Sequence, residues 1–249
     1  MAKKGLAKSI IILIILAAGI TGLIVFKRIH ERNSLAGQIA ALSPRGAPPQ
    51  SIEDLRKSID LYEKKIAEHL SDTNKAGTYW KILGSRLMGV QAGQSPLYGE
   101  ALKALENAVR YYPEDESIHY LIGLAATNLA VSEYFSPAEQ AEHFRIAEAG
   151  YLRAIGLFAR YGRALSGLSL LYIHYLNRPA EAVPHMELYL DINKQDTDGM
   201  FLLAAAYYMT ENYDGAVKLY DNIIGLTKID EVKWQAEHNR QQVMDEWYR

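Results

Sequence analysis

The chain has no cysteine among its 249 residues. That removes disulfides, thiolate-ligated zinc, thiol catalysis and a lipid-modified N-terminal cysteine from consideration. Catalytic signatures are missing too. There is no H-E-x-x-H, no phosphate-binding glycine loop ending in Lys-Ser or Lys-Thr, no G-x-G-x-x-G and no G-x-S-x-G, and each of these marks a chemistry that needs its residues at that spacing. No stretch alternates apolar and polar residues with period two over a useful length, so nothing reads as a strand. The seven histidines are scattered. Two pairs, Glu139 with His143 and Glu181 with His185, stand a helical turn apart, but neither has a third ligand nearby, and solvated surface pairs are the simpler reading.

Charge is unevenly spread. Residues 1–32 hold Lys3, Lys4, Lys8, Lys27, Arg28 and Arg32 against Glu31. Taking these from the 27 basic and 29 acidic residues leaves 21 and 28, a net of −7 for the remainder. An acidic body lacks the basic footprint that nucleic acid requires. The basic residues instead bracket Ile10–Phe26, which is 17 residues without a charge. A helix of that length rises about 25 Å, and flanking Lys and Arg can reach the headgroups on either side. The segment is therefore expected to be an uncleaved single-pass anchor. A cleaved leader would leave the apolar run Ile20–Phe26 at the new terminus. Basic residues on both sides leave orientation nearly balanced. The short tail before the span favours a cytoplasmic N-terminus, which in a bacterium places the body in the periplasm.

What the body does contain is a recurrence. Ala182-x3-Met186-x2-Tyr189 returns 34 residues later as Ala216-x3-Tyr220-x2-Ile223, and upstream counterparts are Ala101-x3-Leu105-x2-Ala108 and Ala147-x3-Tyr151-x2-Ala154. A small residue, a bulky one a turn later and another small or apolar one form one face of a helix. A period of that length describes stacked helical hairpins. The 17 tyrosines suit such a stack as large fillers whose hydroxyls reach water at the edges. The acidic run Glu114–Glu116 follows Pro113 and precedes a helix, where acids favour the N-terminal dipole.

These residues resemble the tetratricopeptide repeat, W-x2-L-G-x2-Y then A-x3-F then P. Leu203-Ala204-x2-Tyr207 with Tyr213-x2-Ala216-x3-Tyr220 keeps the family's spacing. Trp80-x2-Leu83-Gly84 with Ala101-x3-Leu105 carries about five extra residues in its turn. Ile122-Gly123 is followed by an insertion of about a dozen residues around Ser136-Pro137. In the third repeat Ser169-Leu170 replaces Leu-Gly, and Pro184 falls where the second helix should be established, so that helix is expected to start late or kink. The expected class is all-α: an N-terminal transmembrane helix, then a solenoid of about four hairpins with capping helices. The expected division is an anchor (1–32), a linker (33–50), an N-terminal cap (51–76), the repeats (77–228) and a C-terminal cap (229–249).

The resemblance implies a non-catalytic protein without cofactor, metal or small-molecule substrate. Its partners would be proteins or peptides held in a groove lined by the first helix of each hairpin. Phasing the repeats gives Lys81 and Ser85, then Tyr120, Leu124 and Asn128, then Ser166, Leu170 and His174, then Phe201, Ala205 and Tyr208 as candidate lining. Only Lys81 and Asn128 have the chemistry of a carboxylate clamp. The Tyr, Phe and Leu side chains suit an apolar or amphipathic segment. The same residues could instead be covered by the chain's own C-terminal helix. The functional expectation is a membrane-tethered scaffold recruiting partners at a bacterial inner membrane. The alternatives are a structural part of a large envelope assembly, similar in layout to spirochaete periplasmic flagellar-motor collars, and an accessory subunit of a membrane enzyme or transporter.

Overall fold

Helix signals in the sequence become helices throughout the computed structural model, which describes residues 34–43, 48–68, 73–89, 95–132 and 135–249. Among these residues there are eleven helices and no strand. They are α1 (Leu35–Leu42), α2 (Ile52–Glu68), α3 (Thr73–Met88), α4 (Tyr98–Tyr111), α5 (Glu116–Ser132) and α6 (Pro137–Leu157), then α7 (Gly162–His174), α8 (Pro179–Ile192), α9 (Thr197–Met209), α10 (Tyr213–Leu226) and α11 (Asp230–Trp247). The uncharged run at 10–26 lies outside the described residues. No described helix is long and apolar enough to cross a membrane.

The chain divides into two units, Met1–Tyr79 and Trp80–Arg249. In the first, the Ser51 hydroxyl caps α2 by accepting from Asp54 N at 3.0 Å. One stripe of α2 then buries Leu55, Ile59 and Tyr62, as the i, i+4, i+7 spacing dictates. Tyr62 meets Tyr79 edge-on at 5.2 Å, and the Tyr79 hydroxyl bonds Ser43 at 2.9 Å.

In the second unit the helices pair as α5–α6, α7–α8 and α9–α10, and α11 packs on α10. The Gly84 end of α3 meets α4 in the same way. Each pair closes on a small residue of its first helix. A Cβ on Gly84 would lie 2.6 Å from Leu105 and 3.2 Å from the Ala101 carbonyl. Gly123 gives way to the Tyr151 ring in the same manner. Ala204 and Ala216 share one core cluster with Tyr220 and Ile223. Ala101, Ala147, Ala182 and Ala216 are all fully buried, so the 34-residue recurrence is the recurrence of a helix–helix contact.

Three local expectations are revised. In the third hairpin the small contact residue is Ser169, not Leu170. Ser169 is fully buried, its hydroxyl donating to Leu165 O at 2.8 Å and lying 3.4 Å from Ala182 O, while Leu170 is exposed. The motif is therefore Leu168-Ser169-x2-Tyr172, one residue earlier, with Tyr172 buried. Of the late start and the kink expected at Pro184, the late start is excluded, because the helix begins at Pro179, which occupies its first turn and sets the entry φ. The extra residues of the second hairpin lengthen its helices to 17 and 21 residues instead of forming a long loop. A capping box fixes the new start of α6: Glu139 N donates to the Ser136 hydroxyl, and Ser136 N donates back to the Glu139 carboxylate at 2.9 Å. That also engages Glu139, the supposed partner of His143.

Candidate functional site

The first helices of the second and third hairpins stand side by side, and the sequence at their starts decides what lies between them. Asp115 caps α5, accepting from Ser117 N at 2.9 Å and Ile118 N at 3.2 Å, while its other oxygen takes Lys81 Nζ at 2.7 Å. This fixes the first turn of α5 and brings Tyr120 to the inner side. On the other side the α6–α7 connection places Tyr161 directly before Gly162 and Arg163. The Tyr120 ring meets Tyr161 edge-on at 5.6 Å and Tyr151 at 6.1 Å.

The result is a cavity of about 470 Å³ whose lining includes Tyr120, Leu124, Tyr151, Arg163, Ser166 and Asn193. Its floor is Tyr151, almost wholly buried, with its hydroxyl 3.4 Å from that of Thr127. The ring lies in a slot kept open by glycines: a Cβ on Gly123 or Gly167 would come within 2.8 Å of it. Burial pushes the Tyr151 phenol up to about 12. Burial also raises Tyr120 and Tyr161, and the Arg163 guanidinium opposes the rise in both. Tyr189 adds a ring face to the wall and turns its hydroxyl away, donating it to Asp196.

Of the residues proposed from sequence, Tyr120, Leu124 and Ser166 meet in this cavity. Ala205 and Tyr208 line a second cavity, of about 460 Å³, whose other wall comes from α11 through Asn239, Val243 and Glu246. Phe201 packs 5.9 Å from Tyr220 and leans on the core that α11 completes. Lys81 is committed to Asp115, and the Asn128 amide donates to Leu124 O at 2.8 Å on its own helix. Ser85, Leu170 and His174 are exposed and line neither cavity. Sequence reasoning missed Tyr151, Tyr161, Arg163 and Asn193. Tyr151 belongs to a second helix, Tyr161 and Asn193 to connections and Arg163 to the first turn of α7, where phasing the first-helix face carries no information.

Among the described residues no three His, Asp or Glu side chains gather as a metal site. Glu181 pairs with Arg178, which also binds Glu148 at 2.9 Å and lies over the Tyr172 ring at 4.6 Å. Tyr172 donates to the same Glu148 at 2.9 Å. This network ties α6 to the α7–α8 turn.

One similar solved structure is that of YrrB, a TPR protein with an unusual peptide-binding site. It is similar to this chain at 17% identity over 86% of this chain and 97% of its own, with a TM-score of 0.54. This chain has the tetratricopeptide-repeat fold. A thermophilic TPR protein of Thermus thermophilus is similar at 15% identity over 75% of this chain and 91% of that one, with a TM-score of 0.50. A TPR repeat-containing protein of Borreliella burgdorferi is 22% identical over 204 residues, 82% of this chain and 86% of that protein. No family model matches the chain. The repeats here keep the small-residue contacts of the tetratricopeptide fold and vary most of the larger consensus positions, and even the small residue changes where Ser169 stands in place of Gly.

Proposed function

We propose that this protein is a non-catalytic tetratricopeptide-repeat scaffold, tethered to a bacterial inner membrane through residues 10–26, that recruits partner proteins on the periplasmic side. The observation that carries the recognition half is the cavity in which Tyr120, Leu124 and Ser166 come together between two first helices. Aromatic walls with a few polar groups suit the side chains of a docked segment, apolar or amphipathic in character. Membrane tethering rests on the uncharged run and its basic flanks. A tether raises the effective concentration of partners at the surface, so a shallow groove suffices for assembly.

The test is crosslinking in cells with a photoreactive residue at Tyr120 or at Ser166, read by mass spectrometry. Phe201 is a poorer position because it packs against Tyr220. A discrete protein partner at both positions supports the scaffold. Crosslinks confined to this chain would sink it and favour the structural reading, in which outer faces carry assembly contacts. That second reading has its own support at the C-terminal end of the stack, where Ile229 and Trp234 are more than half exposed.

A further inference from the structure

The cavity between α5 and α7 differs in charge from the acidic body around it. The body outside residues 1–32 carries a net −7, yet the lining of this cavity holds Arg163 and no Asp or Glu. Carboxylates on the surrounding helices are already engaged: Asp115 by Lys81, Glu148 by Arg178 and Asp191 by Arg160. Arg163 stands in no ion pair among the described residues, and its field reaches the Tyr120 and Tyr161 phenols. The hydroxyls of Tyr120, Tyr161 and Ser166 have no hydrogen-bond partner among the described residues either, so one cation and three neutral donors share one space. Leu124 and Ile192 supply apolar wall beside them.

We propose that this cavity binds a peptide segment in which a carboxylate side chain neighbours an aromatic or branched aliphatic one. Arg163 receives the carboxylate, and the apolar side chain lies on Leu124 and Ile192 above Tyr151. This rests on the recognition reading above and names its ligand class. A planar guanidinium matches a carboxylate in bidentate geometry, and a single cation balances a single carboxylate rather than a doubly charged phosphate. The volume of about 470 Å³ is that of a small-ligand site. Besides Asp196, which accepts the Tyr189 hydroxyl, Glu116 is a nearby carboxylate without an ion pair among the described residues. It lies a turn before Tyr120, outside the lining, and acts on Tyr161 by raising its pKa. It therefore works against an acidic ligand and gives the test an effect of opposite sign.

The experiment titrates the full chain with acetyl-Leu-Glu-Phe-amide and with its Gln isostere, following tyrosine fluorescence or calorimetry at low salt. The acidic probe is expected to bind about tenfold more tightly than the Gln probe, the usual scale of a charge-assisted contact. Arg163→Ala should remove that preference and leave the Gln probe unchanged, Arg163→Lys should keep part of it, and Glu116→Gln should strengthen it. Both positions lie outside the packed core, so circular dichroism should show the fold intact. Equal binding of the two probes, an equal loss of both with Arg163→Ala, or no binding of either to the unaltered chain would each overturn the proposed ligand class. The crosslink from Tyr120 decides separately whether the cavity is a recognition site at all.

Discussion

Gly150 and Gly156 lie on the same helix and predict opposite responses to the same substitution. A methyl group at Gly150 would stand 2.8 Å from Gly123 N, 2.9 Å from His119 O and 3.1 Å from Gly123 Cα, all of them backbone atoms of α5. No rotamer change relieves a collision with backbone, so α5 and α6 must move apart. At Gly156 the same methyl group meets nothing within 4 Å. Replacing Gly by Ala inside a helix favours folding by up to about 1 kcal/mol, while forcing an extra carbon into a filled contact costs about 1–3 kcal/mol. Gly156→Ala should therefore stabilise by up to about 1 kcal/mol, and Gly150→Ala should destabilise by up to about 2 kcal/mol. At about 2–4 °C per kcal/mol for a domain of this size, the two variants should differ in Tm by up to roughly 6–12 °C in a far-ultraviolet circular dichroism melt. Separation of α5 from α6 also shifts Tyr151 under the cavity, so Gly150→Ala should weaken binding of the acidic tripeptide while Gly156→Ala should not. A Gly150→Ala protein as stable as Gly156→Ala would refute the close backbone approach on which the second hairpin is built.

Two further outcomes follow from the same packing. Tyr151, Tyr189 and Tyr207 are each held at about 12, chiefly by burial, with the carboxylates of Asp196 and Glu187 adding to the effect on the last two. Unfolded tyrosine ionises near 10. The folded state thus keeps protons that the unfolded chain has lost, and stability should be undiminished below about pH 10 and fall as pH rises towards 12. For Tyr151 the span is worth about 3 kcal/mol. Urea midpoints measured across that range should fall less steeply in Tyr151→Phe, and a matching slope in the two proteins would show that Tyr151 does not titrate as described. Glu211 holds φ at 61° in the α9–α10 turn, a conformation that costs a side-chain-bearing residue about 1 kcal/mol. Glu211→Gly should accordingly raise the denaturation midpoint slightly, and a clear loss of stability would mean that the Glu211 side chain contributes more than the strain removes.

How far the sequence could be followed is clearest at particular residues. The buried alanines at 101, 147, 182 and 216 were legible because a helix–helix contact admits only a small side chain, and that demand repeats in sequence with the hairpin. The register of the third hairpin was not legible to the residue. Ser169 and Leu170 both fit an apolar face, and only the hydroxyl's contacts with Leu165 and Ala182 show which one faces inward. The dozen extra residues of the second hairpin looked like a loop because Ser-Pro reads as a turn, whereas here it is the cap and first turn of a longer α6.

By itself the sequence determined the class and the unit of this protein: helical hairpins on a 34-residue period, an acidic body and an uncharged N-terminal run. Those properties depend on local spacing and composition, which are written along the chain. The tertiary structure decided which candidate lining residues share a space. Tyr120, Leu124 and Ser166 meet because α5 and α7 are neighbours, and they meet Tyr151, Arg163 and Asn193, which no helical face analysis assigns to the same site. Lys81 and Phe201 went elsewhere because an acid cap and a core aromatic lay within reach. A periodic pattern fixes the direction a side chain leaves its helix, and only the packing of neighbouring helices fixes what it meets there.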